Sequence, residues 1–369
     1  MLAQHEHLTA PAPQGWSFRA AAQAFLTLNI QDRKFTDFTQ VESTNWVMAS
    51  ATHLAPRTRL TFNAMASAEP FTLRRLGSSQ VFQSGETLDD LPLRDYQHPH
   101  DLLMTLDARL DWSATPATTL FVSAGIVGSP ALGPTPFMHR ASADFHPTAP
   151  LSHHMLDSTH ITHGVVTVGA RRHAWGFELS AFQGREPDEA RLDVDLGALD
   201  SAAARLSWTD GPWRVQVSNG WLTSPEPLEP GDMIKSTASI EFARAPSTDV
   251  RAWSWTAAVG RNGRTDHTEW GALLEGGLHL TPEWRVYSRA EVVDRFILVD
   301  FDHAALTGEE RHFRSRVGTW LFGMDRRLWI GRGVTTSIGA DVTVHRTPAN
   351  LRDSYGSPVS WHLYLRVSR

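Results

Sequence analysis

Histidine, a common metal ligand at neutral pH, is concentrated in two segments of this chain. Six of the 18 histidines lie within residues 128–163, and two more, His98 and His100, precede Asp101. Imidazole and carboxylate groups are ligands for zinc, copper and nickel. His98 and His100 are two residues apart, so an extended chain places both on one face. One interpretation is therefore a divalent metal site built from His98, His100, His139, His153 and His160.

The alternative interpretation of these histidines is structural. Residues 128–159 are rich in Pro, Gly and other small residues, as a compact loop would be. The His and Asp side chains of such a loop can hydrogen-bond its own backbone. The sequence leaves both interpretations open.

A candidate catalytic serine lies further along the chain. The run Gln216-Val217-Ser218-Asn219-Gly220 resembles the His-x-Ser-Asn-Gly motif of outer-membrane phospholipases, except that Gln216 stands where the motif has His. Glutamine cannot act as the general base for a serine nucleophile. We therefore predict that the chain is not an enzyme, and an outer-membrane hydrolase is the least favoured function.

The elements that would position these residues are indicated by a strict alternation of polar and apolar side chains. In residues 334–344, the even positions are Val, Thr, Ile, Ala, Val and Val, and the odd positions are Thr, Ser, Gly, Asp and Thr. A strand separates these two sets onto opposite faces, whereas a helix would mix them. The pattern recurs in residues 102–112, 213–221, 272–280, 284–292 and 361–367. The chain is therefore predicted to be all-β.

Two architectures contain many such strands: a soluble sandwich or barrel with a dry core, and a membrane barrel with a wet lumen. The alternating segments run for about 9–12 residues, which suits a tilted membrane-spanning strand better than an average soluble strand. Short turns, for example Asp210-Gly211-Pro212 and Asp325-Arg326-Arg327, alternate with long irregular stretches such as 128–159 and 184–199. Short periplasmic turns and long outer loops are typical of membrane barrels.

We therefore predict an antiparallel transmembrane β-barrel of about 14–16 strands. Residues 1–16 would form a polar N-terminal tail, and residues 17–369 a single outer-membrane barrel domain. The tail lacks the basic and apolar regions of a secretory signal. Because an outer-membrane protein must be exported, we expect that the signal has been removed or that the start of the gene lies further upstream.

Composition narrows the partners further. Cysteine is absent, which excludes disulfides, thiolate zinc sites and cysteine nucleophiles. The net charge of -6 argues against a nucleic-acid partner. The 14 Trp residues suit a membrane interface. The expected partners are outer-membrane lipid, the barrel-assembly machinery that recognises a terminal amphipathic strand, and small hydrophilic solutes. No cofactor is predicted beyond the divalent metal of the alternative interpretation.

Charges on the polar strand faces would line the lumen of such a barrel, and they include both signs. The segment 128–159 follows a strand that ends on the long-loop side, so it can fold inward and narrow the lumen. We predict a constriction formed by Asp107, Arg109, His139, Asp157 and His160, in which loop groups meet charges of the wall. The predicted function is a porin-like channel for small hydrophilic solutes or ions. The alternative is a metal-binding or metal-uptake envelope protein.

Several short motifs of the chain, besides the alternation, resemble those of a known group of proteins. They are Phe82-Gln83-Ser84-Gly85-Glu86, Gln97-His98-Pro99-His100-Asp101-Leu102, Ala131-Leu132-Gly133-Pro134, Phe137-Met138-His139-Arg140, Asp157-Ser158-Thr159-His160-Ile161, Gly184-Arg185-Glu186-Pro187-Asp188-Glu189 and Glu229-Pro230-Gly231-Asp232. Together they resemble a family of uncharacterised proteobacterial outer-membrane β-barrel proteins, most clearly across residues 45–260. The resemblance implies a porin-like barrel in the outer membrane and implies no biochemical activity.

Overall fold

The computed structural model describes residues 14–34, 36–89, 91–227, 229, 231–245, 251–299 and 312–369. Of the predicted polar tail, residues 1–13 lie outside the described residues. Gly15 and Trp16 already belong to the first strand, so the barrel wall begins slightly earlier than predicted.

The alternating segments form strands along the whole described chain. These are β1 (Gly15–Ile30), β2 (Asp32–Arg33), β3 (Thr36–Asp37), β4 (Gln40–Glu42), β5 (Asn45–Leu54), β6 (Thr58–Ala66), β7 (Ser78–Leu88), β8 (Leu91–Gln97), β9 (Leu103–Thr115), β10 (Thr118–Gly128), β11 (Thr162–Arg172), β12 (Trp175–Phe182), β13 (Ser201–Asp210), β14 (Trp213–Leu222), β15 (Met233–Arg244), β16 (Trp253–Gly263), β17 (Thr268–His279), β18 (Trp284–Val299), β19 (His312–Gly331), β20 (Val334–Arg346) and β21 (Val359–Ser368).

Helical structure within the described residues is confined to short segments in the loops. The α-helices are α1 (Glu69–Thr72), α2 (His153–Leu156) and α3 (Arg352–Tyr355), and the 3-10 helices are Phe137–His139, Ser158–His160 and Ala349–Leu351. None of the described helices has the length and apolar character needed to cross a membrane.

A closed antiparallel sheet of 16 strands forms the wall, which confirms the predicted transmembrane β-barrel. Strand β1 closes it by pairing along both of its edges. Its first part pairs with β5, from Gly15 opposite Leu54 to Ala24 opposite Asn45. Its second part pairs with β21, from Gln23 opposite Ser368 to Ile30 opposite Trp361. The short strand β4 also pairs with β1 and extends the wall next to β5, whereas β2–β3 and β7–β8 form two separate hairpins in the loops.

The outer surface of the wall is apolar, as alternation predicts for a lipid-facing surface. Ile338 is 52% exposed, whereas its neighbour Ser337 is 1% exposed and faces the lumen. Exposed tryptophans stand near the short-turn ends of the strands: Trp112, Trp175, Trp213, Trp253 and Trp284. Tryptophan at this level matches an aromatic girdle at a membrane interface.

One predicted turn is wrong. The run Asp325-Arg326-Arg327 lies inside β19, and the chain turns later, at Arg332 and Gly333, which both have positive φ. Three consecutive charges resemble a turn, but a wall strand accommodates them when each has a partner. Asp325 accepts a hydrogen bond of 2.6 Å from Nε of the lumen-facing Arg285. Arg326 lies on the outside, 5.4 Å from the ring centroid of Trp284.

The lumen of the barrel is occupied by loops from the long-loop end. The loop of residues 129–161 connects β10 to β11, and the loop of residues 67–102 contains α1 and the hairpin β7–β8. These two loops, the loop of residues 347–358 and the wall share one apolar cluster, made of Val81, Phe82, Leu151, Met155, Val293, Leu298, Val317, Leu351 and Tyr355. The main packed core of the molecule is therefore inside the barrel.

The two faces of the wall predict opposite responses to a new charge. Ile338→Arg places a guanidinium in lipid and should destabilise the barrel by about 2–4 kcal/mol, whereas Ser123→Arg faces open lumen and should be tolerated. Urea unfolding in detergent, followed by heat-modifiable mobility on gels, measures the difference. Equal stability of the two variants would contradict the assignment of the faces.

Candidate functional site

Wall side chains hold the first part of loop 129–161 by its backbone. The amide of Ala131 donates to Oγ of Ser180 at 2.7 Å, and the amide of Gly133 donates to Oγ of Ser218 at 2.9 Å. Ser218 therefore has a structural bond to the loop, and its neighbour Gln216 donates to Oγ1 of Thr237 at 3.0 Å. Ser218 thus helps to hold the loop to the wall.

A buried ion network holds the middle of the loop. Arg140 lies between two carboxylates, with its Nη1 2.8 Å from Oδ2 of Asp157 and its Nε 2.8 Å from Oε1 of Glu275. The other oxygen of Glu275 lies 2.9 Å from Nε of Arg289, a residue of β18. The side chains of all four residues are almost completely inaccessible to water. Breaking a buried pair by removing one partner is strongly destabilising, so this network ties the loop to the wall.

Wall side chains also bind backbone groups in the last part of the loop. Glu291 accepts from the amide of Ser152 at 2.8 Å, and Lys235 donates from Nζ to the carbonyl of His154 at 2.8 Å. The loop also lies directly against the wall strand at Gly260, where a Cβ would stand 2.1 Å from the carbonyl oxygen of Met155. Glycine is therefore required there for the loop to approach.

The second loop covers the lumen beside the first. Phe82, which has a φ of 70°, is fully buried, and its amide donates to Oδ1 of Asp95 at 2.7 Å. Asp95 in turn lies 2.7 Å from Nη1 of Arg33 and accepts from the Tyr355 hydroxyl at 3.3 Å. The hairpin β7–β8, the short strand β2 and the helix α3 are thus joined through one buried carboxylate.

A cavity of about 310 Å³ remains between loop 129–161 and the wall strands β5, β6 and β9 to β13. Four of the residues predicted to form a constriction line it: Asp107, Arg109, His139 and His160. The lining also includes Glu178 and Arg205, and four of the chain's 8 methionines, Met48, Met65, Met104 and Met138. The sequence prediction did not include Glu178 or these methionines among the site residues. Alternation places Glu178 on the lumen face, but it does not show which sector of the wall the loop leaves open.

The charged side chains that line this cavity are each held by a neighbouring side chain. Arg109 lies 2.8 Å from Asp111 and sits over the ring of Phe121, with 3.5 Å from its Cζ to the ring centroid. Arg205 lies 2.6 Å from Glu178. Asp107 accepts from Nδ2 of Asn63 at 2.7 Å. The pairing fixes charges of both signs along the open sector.

Asp157, the fifth predicted constriction residue, is not in the cavity lining. It is 2% exposed and is bound within the loop, to Arg140 and, at 2.8 Å, to Nδ1 of His153. Asp157 therefore meets Arg140 of its own loop rather than a charge of the wall. His139 packs on Trp46 with 5.2 Å between ring centroids, and burial lowers its pKa to about 4.

Three of the predicted metal ligands meet around Phe137. The ring centroids of His100 and His160 are 5.4 Å apart, and those of His153 and His160 are 5.1 Å apart. Across the described ranges, two groups bring three ligand atoms within 4.8 Å of one another: Glu229, His267 and Glu269; and Asp188, Asp193 and Asp195. Neither group contains a predicted histidine, so a metal at those histidines stays a prediction.

Comparison with solved structures relates the fold to that of outer-membrane porins. The structure of Pseudomonas putida OprB matches with a TM-score of 0.58 and 9% identity, over 96% of this chain and 94% of that one. Salmonella typhi OmpF, in complex with daunomycin, matches with a TM-score of 0.56 and 6% identity, over 96% and 98% of the two chains. The anion-selective porin of Comamonas acidovorans matches with a TM-score of 0.52 and 8% identity, over 96% and 100%.

These likenesses are likenesses of fold. No protein-family model and no curated protein matches the sequence. They show that the chain shares the β-barrel fold of these porins, whereas membership of the family suggested by the short motifs stays a prediction.

Removing the guanidinium of Arg140 should greatly weaken the attachment of loop 129–161 to the wall. Arg140→Met leaves Asp157 without its cationic partner and should loosen the loop at a cost of about 3–5 kcal/mol, while the wall remains closed. Limited proteolysis of the folded barrel should then cleave within residues 129–161. The matched control is Arg75→Met, which removes an exposed pair with Asp89. Cleavage at the same rate in both variants would contradict a fastening role for Arg140.

Proposed function

We propose that this protein is a porin-like channel of the outer membrane for small hydrophilic solutes or ions, constricted by the loop of residues 128–159. The observation that carries the proposal is the cavity of about 310 Å³ between that loop and one sector of the wall. By the same measure of cavity volume, one water molecule occupies only about 10–15 Å³. The cavity therefore has room for many waters, a hydrated ion or a small polar solute.

The way in which the loop is fastened supports a passage on one side. Side chains of β1, β12 to β18 and β21 bind the loop, through Gln23, Ser180, Arg205, Ser218, Lys235, Glu241, Ser254, Thr256, Asn262, Glu275, Arg289, Glu291, Arg295 and Arg366. The cavity lies mainly against the wall from β5 to β11, which faces this fastened sector. A loop anchored on one side narrows the lumen without filling the other.

The charges of the open sector support weak ion selectivity. Arg109 and Arg205 are each paired with a carboxylate, and Asp107 adds a negative charge beside them. Charges of both signs at fixed positions polarise a passage without excluding either kind of ion. The proposed solutes are therefore small, hydrophilic and of either charge.

We also propose that residues 17–369 act as one barrel domain, with outer-membrane lipid around its apolar exterior. The barrel-assembly machinery would recognise β21, whose exposed Trp361, Leu363, Leu365 and Val367 alternate with lumen-facing residues. A non-enzymatic role is supported by the bond between Ser218 and the loop.

Shortening the loop tests the constriction. Deleting the ten residues 145–154 removes contacts with Arg289, Glu291 and Lys235, and should raise single-channel conductance in planar bilayers several-fold. The barrel should keep its heat-modifiable mobility on gels, because the wall pairs with itself. Unchanged conductance would place the loop outside the conducting path. Absence of conductance in both proteins would reject the channel.

The paired charges of the cavity predict opposite shifts in selectivity. Glu178→Gln leaves Arg205 uncompensated and should move the reversal potential in a KCl gradient toward anion preference, whereas Arg205→Gln should move it toward cation preference. Glu283→Gln, in an exposed short turn outside the cavity, is the control and should change nothing. Shifts of the same sign in the first two variants would contradict a path along this sector.

A further inference from the structure

Four methionine side chains meet around the large cavity described above. Met48, Met65 and Met104 belong to the neighbouring wall strands β5, β6 and β9, and Met138 belongs to loop 129–161. Half of the chain's 8 methionines are therefore collected in one place. The thioether of methionine is a soft ligand, which favours Cu(I) over harder cations.

The pairing of two strands places the first two methionines side by side. Met48 lies directly opposite Met65 in the antiparallel pair β5–β6. Both side chains face the lumen, because both line the cavity. The Cβ atoms of directly opposite residues on one face of a sheet are about 4.5–5.5 Å apart. The long and flexible side chain of methionine therefore lets both sulfur atoms reach one ion.

A β-bulge turns the third methionine into the lumen. Position 104 has the parity of Leu106, which is exposed on the lipid side. The pairing of β9 with β6 passes directly from Thr105 to Leu103, so Met104 is the extra residue of the bulge. The Met104 side chain is only 1% exposed and lines the cavity. Bulges often re-aim a side chain in this way beside a functional site.

The loop supplies the fourth thioether. Met138 lies in the 3-10 helix Phe137–His139 and belongs to the same buried cluster as Met65 and Met104, against which Met48 also packs. All four methionines are thus in one packed group. Packing alone would not require this residue type, because leucine fills nearly the same volume with less freedom of rotation.

A nitrogen donor lies in the lining of the same cavity. His160 is 9% exposed, and its Nδ1 lies 2.8 Å from the carbonyl oxygen of Asp157, which requires the proton on that nitrogen. The lone pair is therefore on Nε2, a buried atom for which the described residues offer no hydrogen-bond partner. An unpaired acceptor inside a protein costs free energy, and a cation bound in the cavity would reduce that cost.

We propose that Met48, Met65, Met104 and Met138 bind one soft monovalent cation of the Cu(I) type, for which Ag(I) is a redox-stable substitute. Four thioethers are a suitable ligand set for such an ion, and they attract hard cations only weakly. The site goes beyond the proposed channel, because binding does not depend on whether solutes pass through the lumen.

The surroundings of the four methionines suit a cation. Met48, Met65 and Met104 each lie close to the end of a strand, on the side where the loops enter the barrel. Asp107 lines the same cavity, where its carboxylate is held by the neutral amide of Asn63 and adds a negative charge. Cysteine is absent, so thioether is the only sulfur group of the chain.

Titration of the full-length barrel in detergent with Ag⁺, in a chloride-free buffer, tests the site. Calorimetry should show about one tightly bound ion per chain. Met65→Leu and Met104→Leu should each weaken binding by about tenfold or more, because leucine keeps the volume and removes a ligand. Met233→Leu is the matched control, since Met233 is equally buried in a different cluster. Mg²⁺ should not compete, because it prefers oxygen ligands.

Methionine methyl groups give a second readout, specific for sulfur. In protein labelled with ¹³C at these methyl groups, Ag⁺ should shift the NMR signals of four of the 8 methionines. This spectrum of the unchanged protein keeps the test decisive if a leucine variant loses its heat-modifiable mobility and so fails to fold.

Three results overturn the proposal. The first is absence of Ag⁺ binding by the unchanged protein. The second is binding that shifts none of the methyl signals or that is unchanged in both Met65→Leu and Met104→Leu, because histidine would then hold the ion. The third is an equal loss of binding in Met233→Leu. Conductance is measured separately, so a failed metal site and a failed channel are distinguished.

Discussion

The guanidinium of Arg140 is the point on which the filled lumen depends. A barrel of this size is wide enough to leave an aqueous channel unless a loop enters it. Arg140 brings one into place by binding Asp157 of its own loop and Glu275 of the wall at the same time. Charges so fully removed from water are stable only when each is compensated, so the loop cannot leave without exposing or orphaning all of them.

This arrangement explains why the passage lies to one side. The bonds from the wall to the loop come from β1, β12 to β18 and β21, where Gln, Glu, Arg, Ser and Lys side chains face inward. Over the remaining sector the wall presents methionines and paired charges, and the cavity is found there. Arg205 belongs to both sectors, because it lines the cavity and also donates to the carbonyl of Gly133 in the loop at 3.3 Å.

Much of the fold could be predicted from the sequence, because alternation directly records which side chains face lipid. Ile338 and Ser337 show this clearly, with opposite exposure at adjacent positions. Asp325 shows the limit of the pattern: a charged run resembles a turn unless the partner Arg285 is known, and that partner is 40 residues away. The site was harder to predict for the same reason. Asp157 was expected to meet the wall, but its partner is Arg140, and no local pattern encodes that choice.

Loop 129–161 also reaches the place where the barrel closes on itself. Strand β1 pairs with β21 beginning at Gln23, and Gln23 donates to the carbonyl of Asp144 at 3.2 Å. Across this seam, Arg366 of β21 lies 2.5 Å from the carboxylate of the same Asp144. A single loop residue thus bridges the first and last strands of the wall. Seating the loop and joining the chain ends into a cylinder are therefore thermodynamically coupled steps of assembly, each made more favourable by the other.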